Sequence, residues 1–177
     1  MVDTLLLQNE KNRFLADEFF MLSWEAATQH NKTWNQITEE CEKKEFRNKI
    51  KEWLEIMMTN YAGHHVQPQE HINNIVSLAD FSKEKGEELD IGKCQKLLNM
   101  MCKYYWCAGW ICEPPDMPID NINLSEIGKK DFSWTKDISD VNKYQSIINE
   151  FNEKAKSDGF NSVAVWELCN WKRKENS

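Results

Sequence analysis

The chain has 177 residues, with 22 Lys and Arg against 29 Asp and Glu for a net charge of −7, a size suited to one domain. Eight tryptophans and eight phenylalanines exclude a disordered chain, which could not hide them from water. The acidic balance excludes a non-specific nucleic-acid coat, which depends on Lys and Arg to neutralise phosphates.

Helical periodicity dominates from end to end. The segment MVDTLLLQNEKNR has three leucines but neither a basic start nor a small-residue cleavage site, so it does not read as a signal peptide. From Arg13 to Thr28, Phe14, Leu15, Phe19, Leu22 and Ala26 recur at steps of three and four and predict a first helix with these residues inward. Asn31 or Thr33 is the expected N-cap of a long second helix. Its buried stripe would be Trp34, Ile37, Cys41, Phe46, Ile50, Trp53, Leu54 and Met57, and its charged face the run EECEKKEFRNKIKE. Gly63 and Pro68 precede a third helix over Gln69–Phe81, and SKEKGEELDIG reads as a charged turn in which Gly86 and Gly92 take positive φ.

A fourth helix is expected from Lys93 to about Trp110. The run Glu113-Pro114-Pro115-Asp116-Met117-Pro118 cannot continue it and forms an extended loop. Short helical or irregular structure follows over Asp120–Gly128. Ser139 or Asp137 caps a helix ending near Ser157 and Gly159. Asn161 or Ser162 opens a last one through Trp171, and residues 172–177 fray. Residues 1–177 are thus expected as a single all-α domain. No stretch is long and apolar enough to span a bilayer, and six cysteines without an export signal read as free thiols in the cytoplasm.

Chemistry concentrates in Gly92–Asp120, GKCQKLLNMMCKYYWCAGWICEPPDMPID. Lys93, Lys96 and Lys103 share helix faces with no acid between Ile91 and Cys112. Lysines at a helix start oppose the macrodipole, so their placement is poor for stability alone, although such lysines can also simply snorkel along an amphipathic helix to solvent. Ammonium groups held against aromatic surface become better nucleophiles as their charged form is desolvated. Asp120 ends Met117-Pro118-Ile119-Asp120, where it can cap a helix and also counter a cation. Trp106, Trp110 and Trp171, with Tyr104, Tyr105 and Trp166 nearby, are candidate shelves for a base. No metal site is expected. Cys102 and Cys107 diverge on a helix, no C-x-x-C pair occurs, and His64, His65 and His71 lack a metal-ligand pattern.

Lys93 at the helix start, Met101 eight residues on, and Met117-Pro118-Ile119-Asp120 together resemble the helix-hairpin-helix DNA base-excision glycosylases, closest to their archaeal-type 8-oxoguanine branch. Tyr144-Gln145-x-x-Ile148, Gly159 and Leu168–Trp171 are similar to that branch's C-terminal helices, so the resemblance covers 92–171. Of the two glycines usual before the lysine, only Gly92 is present. The resemblance implies a glycosylase-like fold, no cofactor, and attack on the sugar's anomeric carbon by Lys93, or by Lys96 one turn on, with Asp120 as partner. Lys103, Trp106, Trp110 and Trp171 would bind the ligand. The implied partner is damaged or single-stranded DNA. A free nucleotide or signalling dinucleotide held without turnover by a protein of bacterial or phage type, and a helical protein-interaction module, are the other classes the sequence leaves open.

Overall fold

The computed structural model describes residues 4–28 and 33–171. Among these the secondary structure is entirely helical, in the order α1 (Thr4–Thr28), α2 (Glu40–Tyr61), α3 (Pro68–Glu84), α4 (Ile91–Cys107), α5 (Asn121–Glu126), α6 (Trp134–Asp137), α7 (Val141–Ser157) and α8 (Val163–Asn170). No helix among the described residues is long and apolar enough to cross a membrane.

α4 is the axis of the molecule, packed by α1, α2, α3, α6 and α7. Every residue from Gly92 to Asn99 is buried, so even the polar residues on this helix must find partners inside the protein. Asp90 caps it, its carboxylate accepting from Lys93 N at 2.8 Å. Around it lie Phe20, Phe46, Leu54, Ile75, Ile119, Tyr144 and Phe151, all nearly or fully sealed from water.

Several sequence expectations are corrected by the packing. α1 begins nine residues earlier than expected, and its inward face is Phe20, Ser23, Trp24 and Ala27. Phe14, Leu15 and Leu22, expected inside, are exposed. Helix α2 begins at Glu40 rather than near Thr33. Residues 35–37 are instead held as a loop by Glu87, whose Oε2 accepts from the backbone N–H groups of Asn35, Gln36 and Ile37 at 3.0, 2.9 and 3.1 Å. A buried carboxylate that gathers three amides competes directly with helix formation there. Asn31, the other proposed cap, and residues 172–177 lie outside the described residues. Cys41 is exposed rather than part of the buried stripe.

Gly86 has the positive φ expected, +104°. Gly92 does not. It sits in the first turn of α4, where a Cβ would stand 2.5 Å from the carbonyl oxygen of Trp134, so its role is close approach to α6. That four-residue helix was not anticipated. α7 is capped by Asp140, not Ser139 or Asp137, through bonds from Asn142 N and Lys143 N. α8 is capped by Ser162, one of the two candidates.

Candidate functional site

Three lysines on α4, Lys93 and Lys96 buried and Lys103 partly buried, each meet a different carboxylate. Lys93 bonds the carboxylate of Asp90, its own helix cap. Lys96, 5 % exposed, places Nζ 2.8 Å from Asp120 Oδ2. Lys103 Nζ lies 2.8 and 2.7 Å from the two carboxylate oxygens of Glu167 on α8, and 5.3 Å from the ring centroid of Trp171, a cation–π distance. The positive run seen in the sequence is therefore neutralised locally, pair by pair.

Asp120 is held by backbone geometry as well as by charge. It is the N-cap of α5, with Oδ1 accepting from Ile122 N and Asn123 N at 2.9 and 3.0 Å, while its own N–H donates to Asn123 Oδ1. This reciprocal box leaves Oδ2 for Lys96. Burial works against the charged form, but the Lys96 ammonium and the two amides outweigh it and hold the carboxyl below its usual range.

The residue before it is clamped too. Buried Gln95, on the same helix as Lys96, donates from Nε2 to Ile119 O at 3.0 Å and accepts at Oε1 from Ile119 N at 3.1 Å. Both backbone polar groups of one loop residue are thereby satisfied by one side chain. Asn123 Nδ2 adds a bond to Pro118 O. Gln95 and Asn123 position Asp120 against Lys96, and neither stood out in the sequence. A Gln one residue before a Lys carries no signal until the loop folds back on it.

Beside this pair opens a cleft of about 150 Å³, a volume on the order of that which takes one benzene-sized ring. Asp120, Ile122, Asn123 and Glu126 line it from α5 and its cap, and Trp166, Glu167, Asn170 and Trp171 from α8 and its end. Trp171 is 56 % exposed, so part of its indole is open to solvent at the cleft. Trp166 is buried and fixed, its Nε1 donating to Asp158 Oδ2 at 2.8 Å.

Of the residues singled out in the sequence, Asp120 and Trp171 line the cleft; Lys96 reaches it through Asp120, and Lys103 through Glu167 and Trp171. Trp106 lies next to it, at a hollow of about 10 Å³ shared with Lys103, Asp116 and Glu167. Lys93 and Trp110 do not line the cleft. Trp110 packs instead into an aromatic cluster with Phe19 and Tyr105, at 5.6 and 5.0 Å between centroids. All six cysteines are free thiols. Among the described residues no three His, Cys, Asp or Glu side chains are grouped to hold a metal ion.

A second polar assembly runs behind the loop. Asn74 Nδ2 donates to Tyr61 Oη, 3.0 Å apart, and Tyr61 Oη lies 2.8 Å from His71 Nδ1. His71 Nε2 faces Asn99 Oδ1 at 2.8 Å, Asn99 Nδ2 donates to Tyr144 Oη at 3.1 Å, and Tyr144 Oη donates to Asp116 Oδ2 at 2.8 Å. Since Asn99 Oδ1 only accepts, His71 carries its proton on Nε2 and receives the Tyr61 hydroxyl at Nδ1. Burial pushes the His71 imidazole below its ordinary value, though Asp116 and Asn99 oppose this. Burial likewise pushes the Asp116 carboxyl upward, against the pull of His71 and Tyr144.

No protein-family model, no curated protein and no solved structure matches the chain.

Proposed function

We propose that the chain is a cytoplasmic, lysine-dependent glycosylase and lyase with a helix-hairpin-helix glycosylase-like arrangement, acting on a purine-type base in damaged or single-stranded DNA. The observation that carries the reading is the Lys96–Asp120 pair, 2.8 Å apart, a buried ammonium on a half-buried carboxylate that lines a cleft the size of one aromatic ring together with the exposed indole of Trp171. Lys96 takes the nucleophile's role rather than Lys93, because Lys93 is committed to the cap of its own helix. The base, extruded from its stack or already unpaired, lies on Trp171. As the bond from C1′ to the base breaks, its electron pair leaves with the base. The proton released by Lys96 passes over Asp120 to the departing base, so Asp120 is again a carboxylate beside the positive sugar carbon. Lys96 Nζ then forms the new bond to C1′.

A borohydride trapping assay tests this on oligonucleotides with oxidised or deaminated purines, single- and double-stranded. A covalent band is expected, lost on Lys96→Gln and retained on Lys93→Gln. A parent protein that leaves every oligonucleotide untrapped and uncut sinks the reading.

A second reading, a free nucleotide held without turnover, draws on one feature. Asp120 already accepts three hydrogen bonds, an arrangement that serves a stable binding wall as well as a reacting one. It predicts a raised melting temperature with a nucleotide and no product.

A further inference from the structure

α1 has two apolar faces, and only one of them meets the rest of the protein. Phe20, Ser23, Trp24 and Ala27 are buried, on the helix that packs along α4. On the opposite side Leu7, Phe14, Leu15, Met21 and Leu22 are exposed, Phe14 at 63 %. At 100° per residue these five fall within a strip about 120° wide. Lys11, Glu18 and Glu25 lie in the same strip, are exposed, and make no ion pair with any described residue. Isolated exposed apolar residues are ordinary, whereas a continuous strip over four turns is the mark of a contact surface.

The order of residues along the strip is self-complementary when reversed. Set against a second copy running antiparallel about a two-fold axis between Phe14 and Leu15, Leu7 faces Leu22, Phe14 faces Leu15, and Lys11 faces Glu18. Each match then recurs by symmetry on the other side of the axis. A parallel pairing would instead set Lys11 against Lys11 and Glu18 against Glu18. We propose that two copies of this chain associate through α1, antiparallel, with Lys11 of each paired to Glu18 of the other. Five large side chains per copy make a small interface, so the dimer is concentration-dependent rather than obligate.

Sedimentation velocity over a dilution series of the full chain tests it. A reversible monomer–dimer equilibrium is expected, on the order of 100-fold weaker for Leu15→Glu. Lys11→Glu and Glu18→Lys should each weaken the dimer about tenfold, and the double exchange should restore it to within about threefold of the parent. The two charged positions are exposed, so far-UV circular dichroism and the melting temperature, taken at dilutions where the parent is monomeric, are expected unchanged in those variants, which keeps the test sound if Leu15→Glu fails to fold. A monomer at every concentration overturns the proposal, as does a dimer indifferent to Leu15→Glu or a double exchange without rescue. Flotation of such a monomer with phosphatidylcholine vesicles would assign the strip to a lipid surface instead.

Discussion

Asp116 is a carboxylate with one strong hydrogen bond, from Tyr144, and almost no contact with water. Burial raises its affinity for a proton in the folded state, only partly countered by His71 and Tyr144. An unfolded aspartate ionises near 3.9. Its contribution to stability is thus fully present below about pH 4 and is lost as pH rises through the raised native value. Asp116→Asn keeps an acceptor for Tyr144 and removes the charge. Its stability relative to the parent should therefore improve between about pH 4 and about pH 8, measured by urea unfolding at both. An equal difference at the two pH values would remove Asp116 as the source. His71 works with the opposite sign. Burial lowers its value, so its contribution holds above about pH 6.5 and fades as pH falls through the lowered one.

At the scale of elements, one close junction is where α4 starts. Gly92 lets the carbonyl of Trp134 approach to a point that a Cβ would occupy, and because its φ is not positive the cost of a side chain there is steric alone. Gly92→Ala should destabilise the protein by about 1–3 kcal/mol, read as a lowered melting temperature, while Gly86→Ala costs through its backbone conformation. A Gly92→Ala variant as stable as the parent would show that α6 yields without cost.

This junction also marks where the sequence could and could not be read. The helices α3, α4, α7 and α8 were legible because each combines a periodic apolar face with a cap or a breaker at its ends. Lys96 and Asp120 were legible as candidates because a proline-fixed loop returns a carboxylate after a run of lysines. What could not be read were contacts between distant segments. Nothing local in Asn35–Ile37 shows that Glu87 will hold those amides in a loop, and nothing local separates a turn glycine from the close-packed Gly92. The pairing of Lys93 with Asp90 rather than Asp120 depends on which way a flexible side chain turns. α1 misled for another reason. Its exposed strip has the same spacing as a buried one, so periodicity found an apolar face but not the one that packs on α4.

At the scale of the whole molecule, the hydrogen-bonded line from Asn74 to Asp116 joins α2, α3, α4, α7 and the loop before α5. Removing one member leaves its buried neighbours without partners, at about 1–3 kcal/mol each. Asn99→Ala and Tyr144→Phe should accordingly be non-additive. The double variant should lose about 0.5–3 kcal/mol less than the sum of the single ones, a difference that urea unfolding of the four proteins measures. Strict additivity would mean the members act independently. The line also has a direction. It starts at an amide that gives a proton and ends at a carboxylate that only receives one, so each hydroxyl between them has one permitted orientation. A lineage that exchanged the two ends would have to turn every intervening group at once. Change in this core is thus confined to replacements that preserve the direction or that arrive together, and its history should show substitutions grouped across five distant segments rather than scattered singly.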